Sequence, residues 1–437
     1  MQYQPTWESI KSHPRPQWFD DAKLGIFIHW GLYSVPAWAN TNWELGAAQP
    51  TPYEWFAHNS YAEWYLNTIR IKESEAWAYH KRTYGEDFPY EKFAEMFTCN
   101  NWNPAQWADI FKDAGAEYVV LTAKHHDGFC LYPSDYTDYN SVKQGPKRDL
   151  TGELTQAVRD AGLKMGLYFS GLLDWTFDLD PIVDHIYQQK YALKPEHVAI
   201  SRNQTMELID KYKPSILWGD IGWPIKGEND LPEILSHYYN MVPEGLVNDR
   251  WNGLWQDYYT AEYLTGVRDL ALKWEMCRGL GLSFGYNQNE DESTMLTSRQ
   301  LVELLCEYVS ANGNLLINVG PKADGTIPEK QISLLRDLGA WLKKHGEAIY
   351  GTRPYMPCQS EVLSGGTKVY YTQKSGTVFA ILCGFNKGKH TVKLPALDKV
   401  VSVEISDEMP VHVPIVVMPE NHPKASVFLV QSRVSTS

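Results

Sequence analysis

The sequence predicts an α/β fold, a (β/α)8-like TIM barrel followed by a C-terminal antiparallel β-sandwich, and three observations carry that expectation. Short apolar, β-rich runs alternate with amphipathic helical stretches through most of the chain. After YGTRPY, a break rich in turn-formers, the texture changes to short β-rich segments separated by turns. Finally, 437 residues exceed what one hydrophobic core usually serves. The expected division is a catalytic barrel over residues 1–350 and a β-sandwich over 351–437.

The barrel strands are read from LGIFIHW near residue 24, YVVLTAK near 118, KMGLYFS near 164, SILWGD near 215, then GLVND, YYTAEY, ALKWEM and NLLINVG. Eight such runs fit a (β/α)8 barrel. Between them PAQWADIFKDAG, ELTQAVRDAG, DLPEILSHYYNMV and SRQLVELLCEYVSANG place apolar residues at i, i+3, i+4, and several end at glycine. The stretch from about 36 to 90 reads as a long irregular aromatic region before a helix YEKFAEMF. Long loops after barrel strands are where active sites are built. Beyond Gly351, KVYYTQ, TVFAILCG, HTVKLP, VVSVEIS and ASVFLVQ read as strands of the second domain.

Composition excludes several classes of partner. A net charge of −13 argues against nucleic acid and anionic membranes, which select for basic patches. No stretch approaches the ~18 apolar residues of a membrane span. The start MQYQPTWESIKSHPRPQWF lacks a basic region followed by an apolar one, and the six cysteines show no CxxC spacing. Both lead to the expectation of a cytoplasmic protein with reduced thiols. The 17 Trp and 27 Tyr are unusual in number, and large amphipathic rings suit sugar faces as well as cores.

Polar residues at the C-terminal ends of barrel strands read as catalytic. Here the strands end in His29-Trp30-Gly31, in Lys124-His125-His126-Asp127-Gly128, in Tyr168 and Ser170, and in Trp218-Gly219-Asp220. Arg250 follows another strand. Asp220 closes an apolar run and is the candidate for a buried carboxylate, although an aspartate there also suits a helix N-cap. Glu262 in TAEY and Glu275 in KWEMC compete as a second carboxylate. Adjacent His125 and His126 invite a metal reading, but neighbours on an extended strand point to opposite sides, so no metal and no cofactor is expected.

Together FIHWG, YAEW, AKHHDGF, LYPSDYTDYNS, KRDL, LWGDIGWP, VNDRW, TAEY and GLSFGYN resemble the retaining α-L-fucosidases of glycoside hydrolase family 29. The resemblance implies hydrolysis of terminal α-L-fucosides through a covalent fucosyl-enzyme, with Asp220 as nucleophile and Glu262 as acid/base. It also implies that His29, Glu63, His125, His126 and Tyr168 surround the sugar hydroxyls and the nucleophile, with Trp64 nearby and Arg250 reaching the site. Phe27, Tyr61, Trp218 and Phe284 match aromatic positions around the sugar's methyl carbon. Gly219 departs from the family pattern, with an expected effect on the pocket entrance. The implied partners are fucosylated oligosaccharides or glycoconjugates, and the oligomeric state, homo-oligomers included, is left open. The competing readings are a glycosidase for a related sugar such as an α-L-galactoside, and a sugar-binding protein without catalysis.

Overall fold

The structure of the protein is a computed structural model that describes residues 2–44, 51–186, 190–263, 270–363, 366–384, 388–395, 399–405 and 409–416. Eight strands, β1 (Leu24–Ile28), β2 (Tyr118–Lys124), β3 (Lys164–Ser170), β4 (Ile216–Asp220), β5 (Leu246–Val247), β6 (Tyr259–Glu262), β7 (Trp274–Gly279) and β8 (Gly313–Val319), form one curled parallel sheet. Their order is β5-β4-β3-β2-β1-β8-β7-β6. Every expected barrel strand is present, and β2 and β8 are buried at each position because packing covers both faces of a parallel sheet.

Helices α1 (Pro104–Asp113), α2 (Leu150–Asp160), α3 (Pro195–Tyr212), α4 (Leu231–Met241), α5 (Ser298–Ser310) and α6 (Glu329–His345) pack around this sheet. Their starts are encoded locally. The Asn103 side chain accepts from Ala105 N and Gln106 N ahead of Pro104, and Thr297 and Gln300 form a reciprocal capping box. Helix α3 escapes the periodicity search because its buried positions include His197, Ser201, Gln204, Thr205 and Glu207, a polar stripe that carries no apolar period. The region before β2 is also more ordered than expected: short helices Pro52–His58, Tyr65–Arg70 and Glu75–Thr83 occur there, and YEKFAEMF forms two short turns instead of one helix. Among the described residues no helix is long and apolar enough to cross a membrane.

The sheet is open between β5 and β6. These strands do not pair, and their connection, residues 248–258, contains no helix. Side chains bridge the opening instead. Asp257 Oδ2 accepts from Val247 N at 2.7 Å and from Tyr239 Oη at 2.8 Å, while Asp257 Oδ1 lies 3.0 Å from His13 Nδ1. Nearer the top, Asp249 Oδ1 accepts from Thr260 N at 2.9 Å and from its hydroxyl at 2.7 Å.

The C-terminal strands β9 (Arg353–Pro354), β10 (Ser360–Val362), β11 (Lys368–Lys374), β12 (Thr377–Cys383) and β15 (Val411–Val416) form an antiparallel sheet, and β13 (Gly388–Leu394) pairs with β14 (Lys399–Ile405). Alternation along β12 divides its side chains. Phe379, Ile381 and Cys383 join the barrel core, whereas Val378, Ala380 and Leu382 cluster with Val392 and Leu394 of β13. The expected strand ASVFLVQ lies outside the described residues.

Asp257 is buried with three partners, so its removal strands buried donors at the open edge. Asp257→Ala is expected to cost about 3–5 kcal/mol, read as a lowered urea midpoint; an unchanged midpoint would show that the edge does not depend on it.

Candidate active site

Strand ends and the segments that follow them bring all thirteen of the expected site residues to one cavity at the C-terminal end of the sheet. It is lined by Phe27, His29, Tyr61, Glu63, Trp64, His125, His126, Tyr168, Trp218, Asp220, Arg250, Glu262 and Phe284, with Ile221 and Cys277 in addition. Period-two alternation explains the first contributions: Phe27 and His29 come from β1 and its end, and Trp218 and Asp220 from β4.

The Asp220 carboxylate accepts from Tyr168 Oη at 2.7 Å, from Arg250 Nη1 at 2.8 Å and from Ile221 N at 2.9 Å. Arg250 Nη2 reaches Glu262 Oε2 at 3.1 Å, and the other Glu262 oxygen accepts from Tyr61 Oη at 3.0 Å. One guanidinium therefore holds both carboxylates. It is itself held, since Arg250 Nε donates to Thr260 Oγ1 at 2.9 Å and its plane lies over the Trp218 ring at 4.8 Å. The side chain of Asp220 is 11% exposed and that of Glu262 22%, so Asp220 lies deeper in the cavity and Glu262 nearer its mouth. Burial pushes the Asp220 carboxyl up, but the Arg250 charge, His126 and the hydrogen bonds from Arg250 and Tyr168 outweigh it and leave Asp220 below the ordinary aspartate value.

The histidine tautomers follow from their partners. Ser170 Oγ donates to Leu173 O at 2.7 Å, so it accepts from His126 Nδ1 at 2.6 Å. Asn318 Nδ2 donates to Phe284 O, which turns Asn318 Oδ1 toward His29 Nδ1 at 2.7 Å. In both rings Nδ1 carries the proton and Nε2 is an acceptor. Burial lowers His29 to about 3 and His126 to about 4, so both stay neutral near pH 7. Burial also takes His125 well below its usual value; its ring stacks on Tyr168 at 5.6 Å. The expectation that His125 and His126 point apart is not met. β2 ends at Lys124 after a register shift, so strand alternation does not extend to the pair, and both rings line the cavity with centroids 4.0 Å apart.

Glu63 accepts from Gly285 N at 2.7 Å, and burial raises it to about 8, so this carboxyl is protonated near neutrality. Phe27, Tyr61, Trp218 and Phe284 belong to one buried apolar cluster and form the hydrophobic side of the cavity. Trp64 edges onto His126, ring centroids 5.3 Å apart. Glu275 is elsewhere: it is fully buried beneath the cavity and does not line it. Gly219 does not reach the entrance either, because a Cβ there would lie 2.5 Å from the Trp251 indole, on the outer face of β4. Sequence reasoning missed Ile221 and Cys277. Ile221 adopts φ 63°, a backbone state that a β-branched residue rarely takes and no sequence signal announces.

Two carboxylates at the C-terminal ends of β4 and β6, on either side of the open edge, with Asp220 kept ionised beside neutral imidazole acceptors, are the equipment of a glycoside hydrolase. The comparisons with known proteins narrow the class. The α-L-fucosidase family model matches residues 1–347. Rat tissue α-L-fucosidase is 36% identical over 392 residues, covering 86% of this chain and 78% of that protein. The Thermotoga maritima α-fucosidase solved in complex with fucose is 48% identical with a TM-score of 0.84, covering 95% of this chain and 96% of that one. The same enzyme with a mechanism-based inhibitor is 49% identical, with a TM-score of 0.83 and coverage of 93% and 90%. The chain belongs to the α-L-fucosidase family.

The tautomers are open to direct measurement. In ¹H–¹⁵N correlation spectra of histidine-labelled protein, His29 and His126 are expected as Nδ1–H forms that do not titrate between pH 8 and 5. Because their folded values lie below the unfolded value of ~6.5, they withdraw stability as pH falls below it. A ring that becomes doubly protonated near pH 6.5 would contradict the assignment.

Proposed function

We propose that this α-L-fucosidase is an exo-acting, retaining enzyme that releases terminal α-L-fucose from fucosylated oligosaccharides or glycoconjugates. The observation that carries the reading is the single Arg250 guanidinium hydrogen-bonded to both Asp220 and Glu262. Carboxylates that share one guanidinium suit the shorter spacing of retaining enzymes, about 5–5.5 Å, better than the roughly 6.5–9.5 Å that leaves room for water in inverting ones. The inhibitor complex of the Thermotoga enzyme supports the same chemistry.

In the first step an Asp220 oxygen attacks the anomeric carbon while Glu262 protonates the departing glycosidic oxygen, giving a fucosyl ester on Asp220 and the free aglycone. In the second, Glu262 as carboxylate takes a proton from water, whose oxygen displaces Asp220 and restores the α configuration. The Nε2 acceptors of His29 and His126 receive hydroxyl protons of the sugar, Glu63 in its acid form donates to one, and the aromatic side faces the methyl carbon. We further place the domain boundary near Gly351, where β9 begins two residues later. The six unpaired cysteines fit a reducing, cytoplasmic setting.

In Glu262→Gly, turnover should fall least for aryl fucosides with good leaving groups, and added azide should restore rate and yield the α-fucosyl azide. Asp220→Gly should give the β-azide from an α-fucoside. An α-azide from Asp220→Gly, or a β-fucose as first product of the wild type by NMR, would overturn the assignment. On 4-nitrophenyl glycosides kcat/KM should favour α-L-fucoside over α-L-galactoside by roughly a hundredfold, the limit an apolar wall sets on an added hydroxyl; equal values would remove the role given to the aromatic side.

A further inference from the structure

The sequence presents Glu275 as a rival acid/base, yet the structure buries it under the cavity floor and engages both of its oxygens. Oε1 accepts from Trp218 Nε1 at 3.0 Å and Oε2 from Tyr118 Oη at 2.5 Å. A buried carboxyl in a barrel interior is costly, and burial raises this one to about 7. A hydrophobic residue would fill the space more cheaply, so its presence calls for an explanation in terms of what it holds.

What it holds is the Trp218 indole. This ring stacks on Tyr168, centroids 5.5 Å apart at 20°, tilts against Phe27 at 5.0 Å, and carries the Arg250 guanidinium at 4.8 Å. Tyr168 and Arg250 are the two side chains that hydrogen-bond Asp220, and Arg250 also binds Glu262. Indole rotation is the soft coordinate of this stack, because a flat ring among other rings slides or tilts with little loss of contact. A hydrogen bond from its only N–H to a carboxylate anchored on a second strand removes that freedom.

Resting on the reading of Asp220 as nucleophile, we propose that Glu275 is a positioning residue of the reaction: it locks the Trp218 plate on which Tyr168 and Arg250 are aligned toward Asp220. Misalignment there acts on the transition state more than on sugar binding, so kcat bears the loss.

Glu275→Leu removes the acceptor, whereas Glu275→Gln keeps a carbonyl for Trp218 and turns an amide toward Tyr118. With active sites counted by a covalent fucoside inhibitor, kcat on 4-nitrophenyl α-L-fucoside should fall about 10- to 100-fold in the Leu variant with KM changed less than about threefold, and return to within about threefold of wild type in the Gln variant. If Glu275→Leu does not fold, Trp218→Phe makes the same cut from the other side and should lower kcat likewise. Wild-type kcat per titrated site in the Leu variant, or in Trp218→Phe where that variant replaces it, would overturn the proposal, as would a Gln variant as slow as Leu. Azide should not accelerate Glu275→Leu. An α-fucosyl azide from that variant would instead make Glu275 the acid/base, which would sink the Glu262 reading along with this one. Normal azide rescue of Glu262→Gly beside an unaffected Glu275→Leu would remove the positioning role alone.

Discussion

The site depends on one partly buried cation placed between two carboxylates. Arg250 neutralises charge that burial would otherwise expel from Asp220 through Nη1, while Nη2 reaches Glu262, and the planar guanidinium fixes the spacing of the two donors. Without that charge, desolvation is the largest force on the Asp220 carboxyl and would favour its protonated, non-nucleophilic form. Arg250 follows β5, the shortest barrel strand at two residues, and reaches across to Thr260 on β6. The sheet is therefore open where its two carboxylates must be joined, and polar side chains do there what a backbone ladder does elsewhere. An ordinary ladder would bring β5 and β6 to the usual strand spacing of ~4.8 Å and leave less width for a guanidinium between the carboxylates.

Burial works on the remaining titratable groups in the opposite chemical sense. The same desolvation that is overcome at Asp220 prevails at His29, His126 and Glu63, which stay uncharged near neutrality. The cavity thus combines the ionised Asp220 carboxylate with neutral imidazole acceptors and the protonated Glu63 carboxyl. This combination suits a neutral sugar, whose hydroxyls need matched hydrogen bonds and whose reacting carbon alone develops positive charge.

Much of this was legible in the sequence because β1, β2, β4 and β8 are buried along their whole length and announce themselves as apolar runs, and because polar residues stand at the strand ends. Asp220 ends SILWGD and is the last residue of β4; His29 directly follows β1. The tie between Glu262 and Glu275 was harder, since both stand in β-rich runs. What separates them is height along the barrel. Glu262 is the last residue of β6, whereas Glu275 is the second of β7, with four strand residues still to follow it. A run continuing as WEMCRG holds that information, but only once the strand's end is known. The His125-His126 pair misled for a related reason: alternation is a property of strands, and β2 stops one residue before the pair. Helix α3 was silent because its inward face is polar, and the left-handed turn at Ile221 is imposed by tertiary packing against local preference.

Height also explains why a residue outside the cavity can govern it. Along β4 the side chains of Trp218 and Asp220 share the inner face, two residues and about 6.6 Å apart, while Gly219 between them faces outward under Trp251. The apolar plate and the Asp220 carboxylate are consecutive layers of one packed interior, as the stacked side chains of a barrel require. Tyr168 on β3 is registered opposite Trp218, and Ser170 opposite Asp220, so the neighbouring strand repeats the same two layers. A displacement of the lower layer passes to the upper through the paired strands and the stacked rings of Tyr168 and Trp218. Glu275, bonded to Trp218 from outside the cavity, therefore acts on Asp220 from beneath.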